Sequence, residues 1–293
     1  AFYALNKNPR ITLKGLNVSA ILGFCNTLLD IIKQYHPFHL GIAFDLQGPT
    51  FRHLQFEQYK ANRQAMPEEI RESIPHIKNI IQAMNIPILC KEGYEADDVI
   101  GTLAKKANAK GYEVFMVTPD KDYAQLVEQN IKMLKLGRGA NPNEIWGVDE
   151  VLQRFEITKT SQVIDILGLW GDSSDNTPGV PSIGEKKAKQ LIQQFSSIEN
   201  ILENSDQIQS NSIRKAIEGN KDLAIQSKQL ATIITDVPID LNEEELELSQ
   251  PNFEACNQFF NELEFTTFAK RFNSHYQNTL SQSTSDLFTP MTS

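Results

Sequence analysis

The amino-acid sequence predicts an α/β first half, with a mostly parallel sheet covered by helices on both faces, and a helical second half. Short apolar runs alternate with helical patterns up to about residue 150, as they do where crossover helices join parallel strands. Beyond that point the strand signal fades, and beyond Phe272 Ser, Thr, Gln and Asn dominate. We therefore divide the chain into an α/β half (1–150), a helical half (151–272) and a linker or disordered tail (273–293).

Each predicted element rests on the spacing of its apolar residues, which recurs every three to four positions in a helix and forms a short run in a buried strand. Predicted helices cover residues 16–34, 67–84, 96–109 and 122–128. Predicted strands cover residues 39–44, 86–90, 113–118 and 131–136. Pro67 suits the first turn of the second helix, and Gly111 ends the third.

The composition excludes several classes of protein. The chain has 293 residues, 40% of them hydrophobic, and a net charge of −9. No apolar run reaches the roughly 18 residues of a membrane span, so we expect no membrane partner. Three scattered cysteines argue against a disulfide scaffold or a zinc site, and a reducing cytoplasm fits best. The negative charge excludes little, because local patches decide whether a phosphate backbone is attracted.

Four acidic clusters lie where chain ends would point into one crevice, outside the carboxyl ends of parallel strands. They are Asp45; Glu95, Asp97 and Asp98; Asp120 and Asp122; and Asp172 and Asp175. Each cluster alone is typical of a helix cap or a solvated turn. Together they would repel one another unless cations neutralised them, which favours two hard divalent ions such as Mg²⁺ or Mn²⁺. Such a pair predicts metal-assisted phosphoryl transfer.

Basic residues follow the first acidic cluster directly. Arg52 stands next to Phe51, and the run from Tyr59 and Lys60 ends at Arg63. If this run is helical, Lys60 and Arg63 share one face, and Tyr59 offers a stacking platform for a base. An exposed helix with ordinary surface charges would give the same pattern.

The second half contains a glycine-bounded turn that opens a predicted helix. Gly179 and Gly184 bound the turn, and the helix carries Lys186, Lys187 and Lys189. Backbone amides at a helix N-terminus suit a phosphate, and lysines add attraction that does not depend on base sequence. The glycine spacing alone is a weak signal, whereas the form Pro-Gly-Val-x-x-Ile-Gly-x-Lys is far more specific.

Taken in order, these motifs resemble the 5′ nuclease domains of bacterial DNA polymerase I, within the flap-endonuclease superfamily, over about residues 1–272. The matching stretches are Phe44-Asp45, Phe51-Arg52, Tyr59-Lys60, Arg63, Glu-Gly-Tyr-Glu-Ala-Asp-Asp, Thr-Pro-Asp-Lys-Asp, and Gly171-Asp172 through Ile183-Gly184. The resemblance implies a PIN-like α/β sheet followed by a helix–hairpin–helix half. It also implies 5′→3′ exonucleolytic and structure-specific endonucleolytic cleavage of DNA flaps and RNA primers, in replication and repair.

The resemblance assigns a role to each motif. Asp45 and Asp97 would hold the tighter ion, with Glu95 orienting a water. The second ion would be held by Asp120, Asp122 and Asp175, with Asp98 and Asp172 in supporting positions. Lys60 and Arg63 would steer the scissile phosphate from a helical arch. The helix–hairpin–helix would grip the duplex backbone, in the family often with a bound K⁺. The implied partners are branched or flapped DNA and RNA–DNA primer ends, with polymerase modules in the same parent chain and a monomeric state.

One departure from the family leaves a second hypothesis open. The family opens with a strand ending in another metal-binding aspartate, and this chain begins after that point. We therefore expect residues 1–293 alone to be poorly stable, to bind Mg²⁺ weakly and to cleave flap DNA slowly. The chain could instead be a noncatalytic module that holds branched DNA. A third hypothesis is a PIN-type ribonuclease. The helix–hairpin–helix turn argues against it, because that element suits the backbone of a DNA duplex.

Overall fold

The structure is a computed structural model that describes residues 9–137, 139 and 141–286. The helices are α1 Ser19–Tyr35, α2 Phe51–Gln55, α3 Glu68–Ala83, α4 Ala96–Ala109, α5 Val148–Phe155, α6 Val163–Trp170, α7 Glu185–Phe195, α8 Ile198–Glu203, α9 Asn211–Glu218, α10 Lys221–Ala231, α11 Glu243–Leu246, α12 Phe253–Glu262 and α13 Thr266–Asp286. The strands are β1 Ile42–Ala43, β2 Ile88–Leu89, β3 Val114–Val117, β4 Ile131–Lys135 and β5 Glu144–Trp146, and 3₁₀ helices cover Lys121–Leu126, Thr160–Gln162 and Ser205–Gln207.

The chain forms two packing units. Of the described residues, the first unit contains 9–42, 65–89 and 242–286, and the second contains those within 43–64 and 90–241. Within the second unit, α6 packs on α10 and on the 3₁₀ helix 121–126, so helices beyond residue 150 share a core with the strands before it. The boundary predicted at residue 150 therefore separates a region with strands from a region of helices, but it is not a boundary between the two packing units.

The first unit is a helical layer in which α1 packs on α3 and α13, and α3 also packs on α12. Buried residues Ile21, Leu28 and Ile32 form one stripe along α1, at the spacing that places side chains on one face. His36, in the left-handed region with a φ of 45°, ends that helix. The helix expected at 67–84 is confirmed, with Pro67 immediately before its first residue.

The predicted tail from residue 273 is wrong over the described residues, because α13 runs to Asp286. Phe268, Phe272 and Tyr276 recur every four positions, and all three are buried. The ring centroids of Phe272 and Tyr276 lie 4.9 Å apart, and those of Phe260 and Phe272 lie 5.1 Å apart. Aromatic packing therefore stabilises the helix as far as Tyr276, in sequence that is otherwise polar. Residues 287–293 lie outside the described residues.

The second unit is built around a three-stranded sheet in the order β3-β4-β5. β3 and β4 are parallel, with Val114 opposite Ile131, and β4 and β5 are antiparallel. β1 and β2 form a separate two-stranded sheet, so the strands predicted at 39–44 and 86–90 are present but much shorter. The sheet and α6 and α7 enclose one apolar core. Among the described helices, none is both long and apolar enough to cross a bilayer.

Helices α6 and α7 are joined by a tight turn in which Gly179 approaches the backbone of the preceding helix. Gly179 has a φ of +63°, and a Cβ there would lie 2.5 Å from Gly171 N and 2.6 Å from the Trp170 carbonyl carbon. Gly184, at the other end of the turn, has an extended conformation, and its Cβ would meet nothing within 4 Å. The turn therefore needs glycine at position 179 for steric reasons.

Replacing Gly179 by Ala should lower the free energy of unfolding by about 2 kcal/mol or more, because it adds both left-handed strain and a backbone clash. Gly184→Ala is the matched control and should cost less than about 1 kcal/mol. Urea denaturation followed by circular dichroism measures both. Equal losses in the two variants would contradict the close approach at Gly179.

Candidate active site

A buried ion pair between Arg52 and Asp98 holds together distant parts of the second unit. Arg52, in α2, is 2% exposed, and Asp98, in the first turn of α4, is 0% exposed. The terminal nitrogens of the guanidinium donate to both carboxylate oxygens of Asp98 at 2.8 Å. The guanidinium also donates to the carbonyls of Leu230 and Thr232, at 3.0 and 2.6 Å. Because its donors are all engaged, this pair can be held away from water.

This geometry corrects two predicted roles. Arg52 is enclosed by protein and does not offer its charge to DNA. Asp98 is unavailable to a metal ion, since its oxygens also accept from the backbone amides of Glu95 and Ile234, at 3.1 and 2.9 Å. Both residues instead fix the first turn of α4, which carries Asp97 and follows Glu95.

Glu95, the residue expected to orient a water, is held by three donors. It accepts from Lys60 Nζ at 2.6 Å, from the Tyr59 hydroxyl at 3.0 Å and from Arg52 at 3.3 Å. Burial, reinforced by the charges of Glu95 and Asp175, raises the pKa of Tyr59, so its hydroxyl keeps its proton. Tyr59 is itself buried, and the prediction that it offers a stacking surface is wrong.

Residues 57–63, which we call the strap, are bonded to the loop 172–176. Four hydrogen bonds to backbone carbonyls join them: Lys60 N to Asp175 O at 2.9 Å, Asn62 Nδ2 to Ser173 O at 2.6 Å, Arg63 Nε to Ser174 O at 3.2 Å, and Asn176 Nδ2 to Gln58 O at 2.6 Å. The strap consists of turns, and Lys60 has a φ of +56°, so the predicted helical face is wrong. Lys60 and Arg63 nevertheless converge, since both form ion pairs with Asp175.

The carboxylates of Asp45, Asp97 and Asp120 lie near Tyr123, and none of the three forms an ion pair in the described part of the chain. Asp97 accepts from the Tyr123 hydroxyl at 2.7 Å, Asp45 accepts from the Ala96 amide at 2.8 Å, and Asp120 accepts from the Asp122 amide at 3.0 Å. Burial, together with the charges of Asp120 and Glu95, raises the pKa of Asp97 to about 6. Crowded carboxylates of this kind attract a cation.

Next to Asp120 in the chain, Lys121 links two further carboxylates. Its Nζ lies 3.1 Å from Asp122 and 2.5 Å from Asp172. Burial and the neighbouring Asp120 raise the pKa of Asp122 to about 7. Burial alone would also raise the pKa of Asp172, but hydrogen bonds from Lys121 and Ser174 lower it overall. Asp172 also begins the α6–α7 turn, where it pairs with Thr177 through two backbone hydrogen bonds.

The donor set fits hard divalent ions by its chemistry. Every candidate ligand is a carboxylate oxygen, the type that Mg²⁺ and Mn²⁺ prefer. As they stand, no three Asp, Glu, His or Cys side chains of residues 9–137, 139 and 141–286 converge closely enough to hold one ion. The charge of Glu95, Asp122, Asp172 and Asp175 is offset by Lys60, Arg63 and Lys121 instead.

The predicted helix–hairpin–helix segment carries two exposed lysines. Lys186 and Lys187 are exposed in the first turn of α7, which begins just after the exposed Gly184. Lys189 is buried and bonds to the Arg154 carbonyl at 2.9 Å and to Glu185 at 2.9 Å, so we withdraw it from the predicted phosphate contacts. We also withdraw Gly179, because its buried amide donates to the Ser227 hydroxyl at 3.0 Å.

Two residues of the site were missed by the sequence analysis. Lys121 was read only as part of the Asp-Lys-Asp motif, and Tyr123 was not considered. The sequence did contain a signal: Lys121 stands between Asp120 and Asp122, and Tyr123 follows them, directly after a predicted strand. In the structure, both side chains bond to the candidate metal carboxylates.

Replacing Arg52 by Met should lower the free energy of unfolding by about 3–5 kcal/mol, because Asp98 is left charged and buried. Adding Asp98→Asn should recover part of that loss, since the uncompensated charge is removed. Arg71→Met is the control, because the Arg71–Glu68 pair is exposed and should be worth less than about 1 kcal/mol. Urea denaturation compares the variants, and similar losses for Arg52→Met and Arg71→Met would contradict a stabilising pair at Arg52.

Comparison with known proteins identifies the family. The description "5′-3′ exonuclease, N-terminal resolvase-like domain" matches residues 1–156, and "5′-3′ exonuclease, C-terminal SAM fold" matches residues 158–254. DNA polymerase I of Bacillus subtilis is 40% identical over 272 residues, which is 92% of this chain and 30% of that protein. DNA polymerase I of Caldicellulosiruptor bescii is 39% identical over 274 residues, 92% of this chain and 32% of that protein. The chain thus spans about a third of the length of these relatives.

Solved structures show the same fold. The T5 D15 protein co-crystallised with metal ions has a TM-score of 0.65 at 16% identity, covering 92% of this chain and 95% of that one. The catalytic core of Rad2 in complex with DNA substrate has a TM-score of 0.61 at 15% identity, covering 89% and 84%. The expected α/β domain followed by a helical domain is confirmed. From its motifs, its fold and both domain matches, the chain belongs to the 5′-3′ exonuclease family.

Proposed function

We propose that this chain is a divalent-metal-dependent 5′→3′ exonuclease and 5′-flap endonuclease, acting on branched or flapped DNA and on RNA–DNA primer ends. The observation that supports the proposal is that Asp45, Asp97 and Asp120, which form no ion pair in the described structure, lie near Tyr123, with lysine-paired carboxylates beside them. A dense group of carboxylates that could bind cations, beside lysine and arginine side chains, suits a substrate that is itself a phosphodiester anion. Polymerase modules in the same parent chain and a monomeric state belong to the same proposal.

Two Mg²⁺ or Mn²⁺ ions are the proposed cofactors. Asp45 and Asp97 would hold one, and Asp120, Asp122 and Asp175 the other, with Asp172 in support. Such ions, when bound, activate a water and stabilise the leaving oxygen of a phosphodiester. A K⁺ ion at the helix–hairpin–helix turn completes the set of proposed ions.

Residues of the chain itself supply orientation and charge. Glu95 is fixed by Lys60, Tyr59 and Arg52, and a carboxylate held in one orientation can accept a hydrogen bond from an attacking water. Lys60 forms an ion pair with Glu95, and the exposed Arg63 forms one with Asp175. We assign these two cations to the scissile phosphate, where negative charge increases in the transition state.

The second candidate function is that of a noncatalytic module that holds branched DNA. It is favoured by the cations that already neutralise Glu95, Asp172 and Asp175 among the described residues. The two functions differ in one result, which is the Mg²⁺-dependent release of short products from a 5′-flap substrate. The noncatalytic module would bind the flap and release none.

Asp120→Asn should reduce single-turnover cleavage of a 5′-flap DNA by about 100-fold or more, because a metal ligand and its charge are lost together. Affinity for the same DNA in Ca²⁺ should stay within about twofold, since Asp120 faces the carboxylate cluster. Asp206→Asn, at an exposed aspartate in a 3₁₀ helix, is the matched control and should cleave like the parent. Full activity in Asp120→Asn would refute this ligand assignment.

Replacing Lys186 and Lys187 together by Ala should lower the slope of log affinity against log salt by about 1.8, at about 0.9 for each lost phosphate contact. Binding should weaken equally for duplexes of different sequence. Lys159→Ala, an exposed lysine of the same unit, is the control and should leave the slope unchanged. Fluorescence anisotropy over a salt series provides the measurement. An unchanged slope in the double variant would show that these lysines are ordinary surface residues.

A further inference from the structure

Lys121 occupies the space between two proposed metal ligands. Its ammonium lies 3.1 Å from Asp122 Oδ1 and 2.5 Å from Asp172 Oδ2. The side chain is half-buried, with 32% of its surface exposed. A lysine in this position neutralises both carboxylates with one charge.

The backbone on both sides of this contact is held by hydrogen bonds. Lys121 is the first residue of the 3₁₀ helix 121–126, whose preceding residue, Asp120, accepts a hydrogen bond from the amide of Asp122. Asp172 follows α6 and is tied to Thr177. The Lys121 ammonium also lies 5.5 Å from the ring centroid of Trp170, the last residue of α6. The contact therefore joins the 3₁₀ helix 121–126 to the residues after α6, and an ion entering between them meets the lysine.

We propose that Lys121 is an internal counter-ion that competes with a divalent cation for Asp122 and Asp172. The inference rests on the proposed function, because it takes these carboxylates to be cation ligands. An ammonium and a divalent ion cannot share the same oxygens without strong repulsion at about 4 Å. Lys121 must therefore leave these two carboxylates when the ion enters.

The competition makes the two sides of the carboxylate cluster unequal. Asp45 and Asp97 have no ion pair in the described structure, so an ion placed there displaces no ammonium. An ion between Asp122 and Asp172 must first displace Lys121. Metal binding should therefore occur in two steps, of which the weaker one carries the cost of moving the lysine. Lys121 is in this sense a positioning residue that sets metal affinity.

Isothermal titration of the metal-free protein with Mn²⁺ and with Mg²⁺ tests the idea without measuring activity. Lys121→Met should tighten the weaker step by about tenfold or more, because the competing charge is gone. Lys121→Arg keeps the charge and should stay within about threefold of the parent. Lys105→Met changes the net charge equally at a separate ion pair, with Glu128, and should leave both steps within about twofold.

A second measurement follows the lysine itself in the unsubstituted protein. Nuclear magnetic resonance of ¹⁵N-labelled lysine side chains should show the Lys121 ammonium in slow exchange with water while it is bonded to two carboxylates. Saturating Mg²⁺ should move or broaden that signal, and Lys121→Arg identifies it by its loss. This measurement remains decisive even where Lys121→Met fails to fold without metal.

The outcomes separate this inference from the proposed function. Tighter binding in Lys121→Met, together with a displaced ammonium signal, supports the competition. Equal or weaker binding in Lys121→Met, or an ammonium signal that Mg²⁺ leaves unchanged while the ion binds, overturns it and leaves the proposed metal dependence standing. Failure of the parent and all variants to bind either ion overturns both.

Discussion

The fold of the second unit depends on the buried ion pair between Arg52 and Asp98. Arg52 and Asp98 lie 46 residues apart in the chain, and their contact brings α2 against the first turn of α4. The guanidinium also donates to backbone carbonyls at the C-terminal end of α10, those of Leu230 and Thr232. A buried pair of this kind adds little net stability compared with apolar packing, but its geometry admits very few alternatives. Its contribution is to fix where Glu95 and Asp97 point.

Around that anchor, positive and negative side chains alternate. Lys60 and Arg63 lie against Glu95 and Asp175, and Lys121 lies against Asp122 and Asp172. The cluster of carboxylates is thereby kept compact by charges that belong to the protein. This arrangement offsets part of the repulsion among the acidic residues that share the site, since unpaired like charges at these distances would push the elements apart.

Much of this site could be predicted because its residues follow elements with strong apolar patterns. Asp97 opens a helix and Asp120 follows a strand, and both positions are visible in the sequence. Burial of a charged residue is different, because Arg52 is buried by a partner far along the chain, which no local pattern reveals. Tyr276 was missed for another reason: its four-residue aromatic spacing with Phe272 lies in a polar segment. The three-residue β5 is too short and exposed to give a periodic signal.

The strap contains or contacts the residues proposed to bind two kinds of ligand, a phosphate and a metal ion. Its hydrogen bonds to the loop 172–176 and its ion pairs with Asp175 are made by the same few residues, so loosening one contact loosens the others. A phosphate that draws Lys60 and Arg63 away would leave Asp175 free for a cation, and a cation at Asp175 would release the two basic residues. By thermodynamic linkage, each ligand must then raise the affinity of the other by the same factor. Under the proposed function, the strap would therefore couple the binding of nucleic acid to the binding of a metal ion.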